Sequence, residues 1–166
     1  GMEQRLRGKI DARLETAPAA EVKLAVSHKR GSVEARAKVE KTSASPDLVL
    51  NIVLVEKELT YSGETGIRFH PMVARAIASY PLKGKKSAAR SHRFDLAKVQ
   101  AALVRHSDEF EKHDERHNKD GKFRFFERMT EINSDRLAVV AFVQDSQTKQ
   151  VLQAVFSDAA PTTVSD

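Results

Sequence analysis

Two short stretches place ligand-type side chains at spacings that metal chemistry uses. The twelve positions 116–127 overlay a calcium-binding loop, with Asn118, Asp120, Gly121, Phe123 and Glu127 at its third, fifth, sixth, eighth and twelfth positions. Such a loop needs an aspartate at its first position to anchor the cation. Arg116 stands there instead and puts a positive charge where the ion would sit. The second stretch, His113-Asp-Glu-Arg-His117, sets two imidazoles four residues apart, on one helix face, as zinc proteases do. That chemistry requires Glu directly after the first His as general base, and Asp114 is one methylene short. A third ligand is not evident. The acids and bases around it, from Asp108 to Arg116, read as a solvated helix end laced with i,i+4 pairs. No metal and no cofactor is expected, and a divalent-metal domain stands as the weakest of the functional readings.

Nucleophilic catalysis finds no support either. The chain has no G-x-S-x-G elbow and no phosphate-cradling glycine loop. It contains no cysteine, which excludes disulfides, thiolate nucleophiles, thiolate-ligated zinc and iron–sulfur clusters. No enzymatic activity is therefore expected. The formal charge of +5 and pI near 9.5 invite a polyanion as partner, and Lys83, Lys85, Lys86, Arg90 and Arg93 gather in a stretch that reads as a basic loop. Stacking platforms are scarce, with no Trp, two Tyr and six of the eight Phe at expected core positions. Binding of nucleic acid or anionic lipid is thus the runner-up.

The elements that must position these groups follow from period. Residues 2–17 place Leu6, Ile10 and Leu14 at helical spacing, and Pro18 ends the segment. The opening Gly1-Met2 reads as an expression scar, and residues 1–20 read as an N-terminal helix that could be the tail of a linker from a preceding domain. From Glu21 the period becomes two: Val22, Leu24 and Val26, then Val33, Ala35, Ala37 and Val39, predict a hairpin turning through Lys29, Arg30 and Gly31. The apolar run 48–55 predicts a central strand covered on both faces. Residues 57–67 read as a loop, 69–77 as an edge strand and 81–93 as a basic loop. Asp95 caps a helix reaching to about 117, with Leu96, Val99, Leu103, His106 and Phe110 on one face. Phe123 and Phe125 alternate as a short strand, and 137–143 with 151–156 form a terminal hairpin.

These elements predict a mainly β fold: an antiparallel β-sandwich, immunoglobulin-like or similar, over residues 21–158, with an N-terminal helix, one long inserted helix near 95–117 and a flexible tail over 159–166. Its edge strands would permit a homodimer.

The stretch 50–75, together with 137–145 and 148–154, resembles the C-terminal region of extracytoplasmic thioredoxin-like proteins related to the bacterial outer-membrane lipoprotein group. The matching residues are Leu54-Val-Glu56 leading to Tyr61, His70 with Val73 and Arg75, and the closing Ala141-Phe-Val-Gln-Asp145 and Val151-Leu-Gln-Ala154. The resemblance implies a β-sandwich accessory domain that follows a thioredoxin-like domain in the periplasm or cell envelope. Its partner would then be that neighbouring domain or another envelope protein. With no C-x-x-C anywhere, these residues cannot exchange disulfides themselves. Tyr61, Glu64, Arg68, His70 and Arg75 lie along the glycine-punctuated loop and the strand it feeds, and they are the candidate binding residues. A carboxylate near two guanidinium groups and an imidazole could recognise a partner or hold the loop shut.

Overall fold

The computed structural model describes residues 2–15, 17–42, 45–61, 68–113 and 123–159. Among these residues seven strands form two antiparallel sheets, with helix α1 (Met2–Leu14) ahead of them. The smaller sheet runs β1 (Glu21–Lys29), β2 (Ser32–Glu40), β5 (Ala88–Asp95), and the larger runs β4 (Phe69–Pro81), β3 (Leu48–Thr60), β6 (Leu137–Asp145), β7 (Val151–Asp158). Helix α2 (Leu96–His113) follows β5 directly. The predicted sandwich and both helices are present.

Alternation builds the core. Val33, Ala35, Ala37 and Val39 of β2 face inward against Leu48, Leu50, Ile52 and Leu54 of β3 and Leu137, Val139, Ala141 and Val143 of β6, all buried. The opposite face of β3 packs Val53 and Val55 beside Ala138, Val140 and Phe142, so the run 48–55 is covered on both sides as a central strand requires. The β1–β2 hairpin turns at Arg30-Gly31, where Gly31 has φ +77°, a region glycine enters without a Cβ clash. In α1, Leu6 and Ile10 stay more than half exposed.

Three expectations are corrected. Residues 57–60 are not loop: β3 continues to Thr60, and Glu58 to Thr60 pair with Pro71 to Phe69. Residues 88–93 are not loop but belong, with Phe94 and Asp95, to the edge strand β5, paired with β2 from Ser32 to Val39. Its inward row is Ala88, Arg90, His92 and Phe94, and the two polar members hid the alternation. They are accommodated by Tyr80 of β4: its hydroxyl lies 2.8 Å from His92 Nδ1, and the Arg90 guanidinium sits 6.0 Å from its ring. Conversely, Phe123 and Phe125 form no strand. They pack on Phe110 of α2, with ring centroids 6.0 and 5.3 Å away, and the Phe125 amide donates to Glu111 Oε1 at 2.9 Å, where a strand would have donated to a neighbour.

Asp95 caps α2 as expected, its Oδ1 accepting from the Lys98 amide at 3.1 Å. Leu96, Val99 and Leu103 pack on the sandwich core, whereas Phe110 packs on the two phenylalanines just described and His106 is exposed. Nor are six phenylalanines spent on the core. Phe94 is buried, but Phe69, Phe125, Phe126 and Phe156 are exposed, Phe126 completely.

Candidate functional site

The two long strands β3 and β4 end side by side and carry the candidate residues. The Tyr61 amide donates to the Arg68 carbonyl at 3.0 Å, closing the ladder just past Thr60 and Phe69. Across it the Tyr61 and His70 rings stack, 4.3 Å between centroids and 21° between planes. Arg68 is exposed beside them. Glu64 lies outside the described residues. Tyr61, Arg68 and His70 are thus brought together at the exposed end of the larger sheet.

Arg75 does something else. The β3–β4 register shifts between Leu54 and Val55, which pair with Ala76 and Ala74, so Arg75 is an extra residue without a cross-strand partner. A bulge of this kind re-aims a side chain. Here the guanidinium turns inward, 4% exposed, to the equally buried Glu56, with Nε 3.3 Å from Oε2 but not in hydrogen-bonding geometry. Its Nη1 donates to the Met129 carbonyl at 2.9 Å and its Nη2 to the Glu131 carbonyl, while Glu56 Oε1 accepts from the Asn133 amide at 3.2 Å. Burial pushes the guanidinium below its ordinary value, and Glu56 opposes that shift. Arg75 and Glu56 therefore fasten residues 129–133 across the open side of the sandwich.

A second clasp holds the same strap further along. Arg128 reaches Glu111 through Nη2 and Nε and Asp108 through Nη1, the last at 2.7 Å. The Arg128 hydrogen bond, then that of the Phe125 amide, holds the Glu111 carboxyl below its usual range. Under the strap is a cavity of about 230 Å³ reached by Tyr61, Leu59, Val73, Arg75 and Met129. Tyr61 and Arg75 share this cavity without sharing a role.

The metal candidates fall mostly outside the described residues. His113 ends α2, while His117 and most of the calcium-like loop belong to 114–122. Among the described residues, no three His, Asp or Glu side chains are grouped to hold an ion. Glu127, the twelfth position of that loop, lines the cavity under the strap.

The basic cluster lies on the β4–β5 turn and on β5. Lys83, Lys85 and Lys86 are exposed around the turn, where Lys83 and Gly84 both have positive φ, and Arg93 is exposed on β5. No sequence pattern assigned Glu56, Tyr80, His92, Glu111 and Arg128 the contacts they make. A signal existed for one of them: Glu56 closes an otherwise apolar central run, where a carboxylate needs a buried cation.

No family model matches the chain, and no curated protein matches it in sequence. Among solved structures it is similar to a domain of the outer membrane lipoprotein Omp28 from Porphyromonas gingivalis, at 11% identity over 88% of this chain and 92% of that one, TM-score 0.45. It is similar also to OgpA from Akkermansia muciniphila, at 15% identity, TM-score 0.43, and to β-glucosidase 3B from Thermotoga neapolitana, at 12% identity, TM-score 0.36. The match covers 88% of this chain and 29% of OgpA, and 86% of this chain and 16% of the glucosidase. At these identities no residue's role carries across.

Proposed function

We propose that the chain is a noncatalytic interaction or assembly domain of an envelope-associated thioredoxin-like protein, docking its neighbour through the exposed end of β3 and β4. The observation that carries this reading is how the candidate groups are spent. Tyr61 lies on His70, Arg75 on Glu56 and two carbonyls, and Arg128 on Glu111 and Asp108. Groups engaged this way hold a shape; they are not poised on a reacting atom. What they leave at the surface is a half-buried aromatic pair with exposed Arg68 beside it, an arrangement suited to recognition. The envelope and the thioredoxin-like neighbour come from the sequence resemblance.

The test is association between this domain and the neighbouring domain of the full-length gene product, measured by titration calorimetry with Arg68→Ala/His70→Ala against wild type. Weaker association at unchanged melting temperature supports the reading. Unchanged affinity disposes of the docking edge, and a gene product without a thioredoxin-like domain disposes of the family assignment.

A polyanion-binding reading has its own observation. Residues 83–105 carry seven Lys and Arg against Asp95 alone, enough to account for the net charge of the whole chain. Binding to duplex DNA or anionic vesicles that falls steeply with salt would favour it.

A further inference from the structure

The two sheets present different outer faces. On the smaller sheet the outward positions of β2 are Glu34, Arg36, Lys38 and Glu40, with Lys23 of β1 and Arg93 of β5 opposite them, a face built for water. On the larger sheet the outward row Ile77, Val53, Val140 and Phe156 crosses all four strands as successive cross-strand partners. The neighbouring rows centre on Asn51 with Phe142 and on Val55 with Ala138. The charge they reach is Asp158 at the corner, already paired with Lys57. Side chains within the layer shelter its middle, where Val53, Val55 and Ala138 are buried, but at its two ends Ile77 is 62% and Phe156 50% exposed. Neither helix lies over it: the described side chains of α1 are exposed, and α2 packs through Leu96, Val99 and Leu103 on the core side. A contiguous apolar surface of this kind marks a contact with another molecule.

The dimensions of the face decide what can cover it. Ile77 and Phe156 stand on opposite edge strands, three spacings of about 4.8 Å apart, so about 14 Å. An α-helix with its side chains is about 10–12 Å across. Helix α1, with Leu6 and Ile10 exposed, is the chain's own candidate, and it would cover one end of the row and leave the other open. An extended peptide is narrower still. A second β-sheet spans the whole row, at the roughly 10 Å spacing of stacked sheets. To do so without burying an unpaired charge, it must be as free of charge as this face is. In a chain with 31% charged residues, the smaller sheet fails that condition and the outer face of the larger sheet meets it.

We propose that two copies of the chain associate through the outer faces of their larger sheets about a two-fold axis, each covering the other's Ile77 and Phe156. Four strands at about 4.8 Å and seven residues at about 3.4 Å give a flat footprint of about 19 by 24 Å, about 450 Å² per copy and about 900 Å² for the pair. The relief of the side chains adds to that figure and brings it to the lower bound of about 1,000 Å² for specific interfaces. The dimer is therefore reversible, with a Kd on the order of micromolar. It uses a different surface from the Tyr61–His70 end of β3 and β4 and does not rest on docking there.

Sedimentation equilibrium of the chain over a range of concentrations reads the association. Ile77→Asp and Phe156→Asp, on opposite edges of the sheet, should each weaken dimerisation about tenfold or more. Both residues are at least half exposed in one copy, so each variant should melt like wild type where wild type is monomeric. The wild-type melting temperature should rise with protein concentration, and that of the variants should not. Leu6→Ser/Ile10→Ser, Phe126→Ser and Arg68→Ala/His70→Ala should each change association less than about threefold. A monomer at every concentration, open-ended association in place of a dimer, or undiminished association of both Asp variants would overturn the inference. So would a loss from one Asp variant alone, the mark of edge-to-edge pairing, or a loss from Leu6→Ser/Ile10→Ser, the mark of α1 as the occupant. Flotation with phosphatidylcholine vesicles that the Asp variants abolish would overturn it in favour of a bilayer. If an Asp variant fails to fold, Ile77→Ser or Phe156→Ser, which removes apolar area without adding charge, replaces it with the same expectations.

Discussion

Replacing Arg75 with Met removes the one guanidinium that faces Glu56 and tests whether the strap is held by charge. Both side chains are 4% exposed, so the carboxylate left behind stays desolvated. Deleting one member of a buried pair costs about 3–5 kcal/mol for that reason. The Met129 and Glu131 carbonyls also lose donors, but the strap is near the surface, Glu131 itself being exposed, and water can replace them. The expected loss is therefore about 3–5 kcal/mol, a large share of the roughly 5–15 kcal/mol that holds a domain together. Glu56→Leu added to Arg75→Met should restore most of it. A well-packed apolar pair commonly equals or exceeds a buried ion pair, whose Coulombic gain is largely cancelled by desolvation. Urea unfolding of wild type, the two single variants and the double variant, followed by circular dichroism, gives the cycle, with a strong coupling between the two sites. A loss under about 1 kcal/mol for Arg75→Met, or a double variant less stable than Arg75→Met alone, would refute the reasoning.

Three further outcomes are expected. Val53→Asp places a carboxylate on the covered outer row of the central strand, at a cost of several kcal/mol, and should abolish cooperative melting in calorimetry; retained cooperativity would contradict a central β3. Burial lowers the His92 pKa from its ordinary 6.5, so the unfolded chain binds the proton more readily. Stability should fall as pH drops through and below 6.5, and His92→Gln should flatten that slope in urea titrations at successive pH values. The Glu111 carboxyl is held below its ordinary 4.5 by Arg128 and the Phe125 amide, so its contribution is present above that value and lost as pH falls beneath it. Glu111→Gln should raise hydrogen exchange in residues 123–128 at neutral pH to near the acid level, and an unchanged exchange pattern would show that the aromatic packing alone holds the segment.

How much of this was legible depended on where each signal lived. The β1–β2 hairpin announces itself by a period of two, and the central run of β3 and the terminal hairpin by short apolar stretches bounded by turn residues. The Asp95 cap is equally local, a side chain meeting an amide three residues on. Strand β5 was hidden because its inward row carries Arg90 and His92, which are tolerable only opposite Tyr80, a residue on the other sheet. Phe123 and Phe125 misled for the converse reason: alternation predicts a strand only where a neighbouring backbone is free to pair, and here the available partners were Phe110 and Glu111 of α2. Of the candidate residues, Tyr61, Arg68 and His70 come together at one end of the larger sheet, whereas Arg75 is turned away from them by a bulge that no sequence pattern announces.

What the amino-acid order determined alone was the class of fold, two facing β layers, and the absence of any thiol. What tertiary structure decided was the use of each charge. A bulge one residue long turned Arg75 from solvent to Glu56, and the docking of α2 gave Glu111 its arginine. Hydrophobic periodicity is written locally along the chain, but the energy of a charge is set by what lies within a few ångströms of it, and those neighbours come from 17 to 77 residues away.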